Sequence, residues 1–457
     1  MNLLLSTDVY KVSHGDQYPK GTTKVYSYLC ARKGFSQEES KVIFFGLKYY
    51  LEKYLAKGIS HEDIDEFIKV YSKIAPLTKE TIDRMCYVAD LGYLPIRVKA
   101  LPEFEEYHTF TPLLTITNTD PNAYWLVNYI EGLMLKLWYP CSVATKSKKY
   151  FNIAKSYTGE TCDDGEHLPY AVHDFGYRSV SSEESSMLGG AAHLVNFKGS
   201  DNILGEYMLN KYYQLEGAKS VPASEHSVMC SHGKEDEFKS FERMLDLYPT
   251  GIVSIVSDTY DLWNVLENFT DRLSDRILKR EGKVVFRPDS GLPEDIICGN
   301  PYSYDPSEVK GALNILWDKF GGRVNKKGYK ILNPKVGLIY GEGITLERYE
   351  RILLRMKNMG FASSNLTIGV GGLMLQNNSR DDYGFAQKTT YIEVNGEPRN
   401  VFKDPITDRK KKSHKGLLSV EESHISGIHT LDVTEECSWE KEKEGLLKTV
   451  FLDGKLC

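Results

Sequence analysis

Two short strings carry side chains able to hold a flat, polar substrate: His173-Asp174-Phe175-Gly176-Tyr177-Arg178 and Asn196-Phe197-Lys198-Gly199-Ser200-Asp201. Together they supply an aromatic face for a planar heterocycle, a carboxylate to read its substituent and a guanidinium to fix an anionic co-substrate. Further along, Phe286-Arg287-Pro288-Asp289-Ser290-Gly291 sets a cation and an acid two residues apart. Alternation along an extended chain sends both to one face. There the acid can take ribose hydroxyls or a magnesium ion and the arginine a phosphate; an internal ion pair is the plainer alternative. His226, within Val221-Pro222-Ala223-Ser224-Glu225-His226-Ser227, has the chemistry of an acid, a base or a nucleophile. A lone histidine is more often structural, but Ser257-Asp258 offers a carboxylate to orient this one. Val370-Gly371-Gly372, after an apolar run, reads either as a phosphate cradle of backbone N–H groups or as a tight turn.

Strand ends are where these groups fall. From Ala144 to Gly372 short apolar runs end in a polar or glycine residue and a helical pattern usually follows: Tyr170–Asp174, Ile252–Asp258, Val284–Asp289, Val336–Glu342 and Leu366–Gly372. Such alternation predicts parallel strands buried on both faces. Five or more units predict an irregular (β/α) barrel, whose chemistry sits at the carboxyl ends of its strands. Those ends carry Asp174, Asp258, Arg287 with Asp289, Glu342 and the glycines from Gly369 to Gly372. The expected division is a mixed α+β region over 1–141, a catalytic (β/α) barrel over 142–385, and a return over 386–457 that makes the α+β domain discontinuous. The fold class is α/β.

The bulk properties exclude several functions. At 457 residues, 41% hydrophobic and 26% charged, the chain is that of a globular protein with a substantial core. A formal charge of −6 argues against general nucleic-acid binding. Eight cysteines without a C-x-x-C pair form neither a zinc pattern nor a disulfide framework, so reduced thiols and a cytoplasmic setting are expected. MNLLLSTDVYK lacks the basic lead of a secretory signal, and no apolar run is long enough to span a membrane. The run Arg409-Lys410-Lys411-Lys412 reads as a solvated loop, and Tyr10 is one of thirty tyrosines.

Taken in order, TDVYKVSHGDQYP, VYSYLCARK, NTDPNAYWLVNYIE, WYPCSVAT, HDFGYRSVSS, AAHLVNFKGSDN, SVPASEHS, VSDTYD, FRPDSG, GEG and NVFKDPITD span nearly the whole chain. The set closely resembles the nicotinamide phosphoribosyltransferases, which are type II phosphoribosyltransferases. The resemblance implies synthesis of nicotinamide mononucleotide and pyrophosphate from nicotinamide and phosphoribosyl pyrophosphate, with Mg2+ held mainly by pyrophosphate and water. It implies ATP as a co-substrate that phosphorylates His226 beside Asp258, and a homodimer with sites at the subunit interface. Phe175 and Tyr10 would sandwich the base, Tyr10 from the other subunit, while Asp201 accepts from the carboxamide and Arg178 lies along ring and phosphoribosyl group. Arg287 and Asp289 would hold the ribose, and Gly341, Gly371 and Gly372 the 5′-phosphate. Arg32, Arg380, Lys388, Lys403 and Lys411 match family cations around the phosphates. Glu342 stands where better-known members have aspartate, and Val370 and Leu373 replace small residues beside the glycines. A nicotinate phosphoribosyltransferase is the nearest alternative, ahead of a non-catalytic nucleotide-binding relative and a barrel hydrolase. Asp201 weighs against the first, because a carboxylate facing the ring substituent repels nicotinate.

Overall fold

In the computed structural model, which describes residues 2–33, 41–407, 412–425 and 428–457, the chain divides between residues 142 and 143 and again between 378 and 379. The first unit joins Met1–Ser142 to Ser379–Cys457. Its frame is a seven-stranded antiparallel sheet. Thr22–Cys30 pairs on one side with Ala386–Val394 and on the other with Leu114–Asn118, so a strand from the tail completes the sheet begun at the N-terminus. Tyr26, Tyr28 and Cys30 pack there with Tyr391, Leu417 and Leu418. The tail is tied down again by Glu442, fully buried between Arg97 at 3.0 Å and Lys99 at 3.3 Å. Removing both cations would strand a desolvated carboxylate, at a cost of about 3–5 kcal/mol. The second boundary lies ahead of residue 386 because Ser379–Tyr383 forms a capped turn whose Tyr383 carbonyl accepts from the Arg32 amide at 2.9 Å.

The second unit, Val143–Asn378, is built on a six-stranded sheet: β1 (Val172–Asp174), β2 (Gly199–Ser200), β3 (Thr250–Val256), β4 (Glu281–Arg287), β5 (Val336–Tyr340) and β6 (Leu366–Val370). All pair in parallel, in the order β2-β1-β6-β5-β4-β3. The sheet curls until one connecting segment serves both edges. Ser200 donates to the Lys219 carbonyl at 3.1 Å, and Ser254 donates to that of Pro222 at 2.9 Å. Single parallel bridges, Gly199 to Lys219 and Ala223 to Ser254, mark the closure. The result is an irregular (β/α) barrel. Its strands alternate: Val284 and Phe286 of β4 are buried, while Arg287 follows on the opposite face.

Helices between the strands form for ordinary reasons. Leu346–Asn358 is capped by the Thr345 hydroxyl, which accepts from the Arg348 amide at 3.2 Å. It buries Tyr349, Ile352, Leu353 and Met356 at helical spacing. Thr270–Lys279 buries Leu273 and Ile277 in the same way. All eight cysteines are free thiols, and among the described residues no helix is long and apolar enough to cross a membrane.

Candidate active site

The carboxyl ends of β1 to β4, together with the segment that closes the barrel before β3, line a cavity of about 330 Å³. Phe175, Arg178, Asp201, His226, Arg287 and Asp289 all line it.

Phe175 leaves β1 with its amide donating to the Val370 carbonyl of β6 at 3.1 Å. Its ring lies against two glycines. A Cβ on Gly369 would fall 2.0 Å from Phe175 Cε2, and one on Gly341 would fall 2.7 Å from the same atom. Any side chain at either position would push the ring out, so the glycines are spacers for the aromatic wall. The Arg287 guanidinium lies over that ring, 4.8 Å from its centroid, and its Nη2 is 3.7 Å from Asp289 Oδ2. Arg287 Nε is buried without a partner. Arg178 and Tyr177 are exposed in the turn after Phe175.

Asp201 follows β2 and keeps its place through Oδ1, which accepts from His173 Nε2 at 2.9 Å and from the Ser220 hydroxyl. Burial pushes its acidity the other way, but these bonds and the Arg287 field hold the carboxyl below the usual carboxylate range. Asp174, one strand across, is fully buried. Burial raises its pKa to about 6 against the opposing Gly176 amide bond. Its Oδ1 accepts from Gly176 at 2.7 Å and its carbonyl accepts from the Asp201 amide at 3.0 Å.

On the far side of the cavity His226 is half exposed. Its Nδ1 lies 3.3 Å from the Thr259 hydroxyl and its Nε2 4.0 Å from Asp258 Oδ1. Asp258 is nearly buried. Its Oδ2 accepts from the Asp289 amide at 2.7 Å and the Ser290 hydroxyl at 2.6 Å, while Oδ1 has no hydrogen bond. Asp258 thus fixes the turn bearing Asp289 and presents its other oxygen toward His226. Glu237 is buried nearby; desolvation, with the fields of Asp261 and Asp258, raises its pKa to about 7. Glu342 is exposed at the end of β5. Gly371 and Gly372 abut Ser179, and a Cβ on Gly371 would also come within 3.3 Å of the Phe175 carbonyl. The first amides of a helical turn have no acceptor within it, so Gly371 and Gly372 suit an anion.

Tyr10, Arg32, Arg380, Lys388 and Lys403 belong to the other unit. Tyr10 is 58% exposed there, with Lys11 Nζ 5.4 Å from its ring centroid. Burial lowers the Lys388 pKa, and Arg32, Lys11 and Lys403 lower it further against the pull of Glu131. That crowding of cations around one acid suits an anionic ligand. Arg380 is exposed, 3.6 Å from Asp381. Lys411 lies outside the described residues.

Sequence reasoning assigned no role to His173, Ser220 or Glu237, and named Asp174 only as one of the acids at the strand ends. His173 stands two residues before Phe175, so strand alternation alone would have placed it on the same face. Glu237 gave no signal, because Glu-Phe-Lys at a helix start reads as a solvated turn.

Comparison with known proteins adds to this geometry. The nicotinate phosphoribosyltransferase (NAPRTase) family matches residues 170–455, and the nicotinamide phosphoribosyltransferase N-terminal domain matches residues 2–98. The nicotinamide phosphoribosyltransferase of Acinetobacter baylyi is 39% identical over 482 residues, covering 100% of this chain and 95% of the relative. That of Mycoplasma pneumoniae is 38% identical over 435 residues, 90% of this chain and 94% of the relative. Two solved structures share the fold at low identity. Nicotinate-nucleotide pyrophosphorylase from Pyrococcus furiosus has a TM-score of 0.57 at 17% identity, over 100% of this chain and 91% of that one. Human nicotinic acid phosphoribosyltransferase has 0.58 at 16%, over 99% and 90%.

Proposed function

Because the chain belongs to the nicotinate phosphoribosyltransferase family, on its nicotinamide phosphoribosyltransferase branch, we propose that the barrel cavity joins nicotinamide to phosphoribosyl pyrophosphate. The pyridine nitrogen forms a bond to C1 of the ribose as the bond from C1 to the pyrophosphate oxygen breaks. The nitrogen lone pair is free at neutral pH, so the reaction needs no general base. It needs alignment and electrostatics. Phe175 supplies one wall for the ring, worth about 1 kcal/mol per good stack. Asp289 and Asp258 place negative charge beside a ribose that turns cationic, and fixed cations meet the departing pyrophosphate. Holding both reactants in line contributes several kcal/mol more.

The observation that carries the amide over the acid is Asp201, ionised and held by one oxygen. Its other oxygen, Oδ2, accepts from a carboxamide –NH2 and repels a carboxylate. Mismatch at such a polar contact, once the bound base covers it, costs a few kcal/mol. Initial rates with each base test this: wild type prefers nicotinamide strongly and Asp201→Asn erodes the preference. An unchanged ratio in Asp201→Asn refutes the assignment.

Among the described residues no group of three His, Cys, Asp or Glu side chains is placed to hold a metal ion by itself. Mg2+ therefore enters this reading on the pyrophosphate oxygens, as part of the co-substrate. The His226–Asp258 pair supports ATP coupling. A neutral imidazole nitrogen forms the N–P bond as the γ-phosphorus separates from its bridging oxygen and ADP leaves, and the carboxylate 4.0 Å away steadies the charge. Exposed Tyr10 and the cations Arg32, Lys388 and Lys403 support a homodimer in which one subunit's first unit completes its partner's cavity.

A further inference from the structure

The base-reading acid is itself managed by two side chains that touch no part of the substrate in the reading above. His173 projects from β1 one level below Phe175, its ring 5.3 Å from the phenyl centroid, and is mostly buried. Its Nε2 donates to Asp201 Oδ1 at 2.9 Å. A neutral imidazole making that bond carries its proton on Nε2. Nδ1 faces the β2 backbone so closely that a Cβ on Gly199 would lie 2.8 Å from it. The ring thus occupies the space that a side chain at position 199 would fill. Ser220 donates to the same Oδ1 from the segment that closes the barrel. Both bonds converge on one oxygen, and Oδ2 is left for the ligand. Without them Oδ1 would be free to turn toward the ligand, and the pull of burial against the charged carboxylate would be less opposed.

We infer that His173, with Ser220, is a specificity-determining positioning residue: the pair holds Asp201 Oδ1 so that Oδ2 faces the ligand, and the site takes an uncharged carboxamide and excludes the corresponding carboxylate. This rests on the reading of Asp201 as the group that meets the ring substituent. It deepens that reading by placing selectivity one layer behind the contact, in a strand residue and a closing-segment residue that both bond Asp201 Oδ1.

The test is kcat and KM for nicotinamide and for nicotinate, with phosphoribosyl pyrophosphate, Mg2+ and ATP, in wild type, His173→Leu, His173→Gln and Ser220→Ala. Losing a hydrogen bond to a charged group should lower the amide-to-acid ratio of kcat/KM by about tenfold or more in His173→Leu. The change should appear chiefly in the nicotinamide KM. His173→Gln, which retains an N–H donor at that reach, should restore most of the ratio, and Ser220→Ala should lower it less. Should His173→Leu not fold, Ser220→Ala carries the test, because Ser220 is exposed. An amide-preferring wild type whose ratio is unmoved in the folded variants, or a glutamine variant that restores nothing, overturns the inference alone. A wild type without amide preference overturns the reading of Asp201 and this inference with it.

Discussion

Gly369→Ala strikes the aromatic wall directly. The added methyl would lie 2.0 Å from Phe175 Cε2, 2.1 Å from Cδ2 and 2.9 Å from Cζ. Carbon atoms rest near 3.5–4.0 Å, so the ring must retreat by roughly 1.5 Å. The neighbouring strand cannot give way instead, because β6 is locked to β1 through the Gly369–His173 register. Overpacking of this kind costs about 1–3 kcal/mol of stability, and a displaced ring forfeits a stack worth about 0.5–1.5 kcal/mol. Misplacing a reactant by about 1 Å can cost on the order of a hundredfold in rate. Together these predict a fall in kcat/KM for nicotinamide between about tenfold and a few hundredfold. The KM for phosphoribosyl pyrophosphate should change less, since of the cationic groups only Arg287 lies over the displaced ring. Steady-state rates with one substrate saturating separate the two, and circular dichroism confirms the fold. If a folded Gly369→Ala keeps nicotinamide kcat/KM within about twofold of wild type, Phe175 does not carry the base and the stacking argument is wrong.

Other perturbations probe the remaining parts. His226→Ala should abolish ATP hydrolysis and weaken mononucleotide synthesis without eliminating it; full ATPase in that variant would falsify the phospho-histidine role. Asp174→Asn keeps an acceptor for the Gly176 amide and removes a buried acid whose pKa stands near 6. In wild type the folded state holds this proton more tightly than the unfolded one, so stability falls as pH rises through the window from the ordinary aspartate value to about 6. Urea titrations should show the variant gaining about 2 kcal/mol on wild type between roughly pH 4.5 and about pH 7.5; a constant difference would count against it. Tyr10→Ala and Asp201→Ala enzymes, each impaired, should give a rate above the mean of the two when randomly reassorted, because about a quarter of the sites are then intact, one in each mixed dimer. No recovery would remove Tyr10 from the partner's cavity.

Much of this was legible because parallel strands announce themselves as apolar runs that stop at a functional residue. β4 shows it well, with Val284 and Phe286 buried and Arg287 at the mouth. The pairing of His226 with Asp258 was also within reach, since each stands where its loop or strand end meets the cavity. What stayed hidden depends on contacts between distant positions. Ser220 and His173 meet at Asp201 only after the barrel closes, and the closing segment pairs through single bridges too short to leave an alternating pattern. Gly341 was read as a phosphate contact, and its geometry shows a further demand, room for the Phe175 ring. Glu237 looks solvated in sequence because burial there is imposed by neighbouring elements and not by its own helix.

One stretch of backbone runs from Ser220, beside the ring-substituent acid, to His226, beside the carboxylate of β3. It is stitched to β3 midway, where Ser224 donates to Ser254 at 3.0 Å. Fully drawn out, those few peptide units reach no more than roughly 20 Å. They act as a ruler of fixed length between two chemistries, so lengthening the stretch by even one residue would throw both ends out of gauge together.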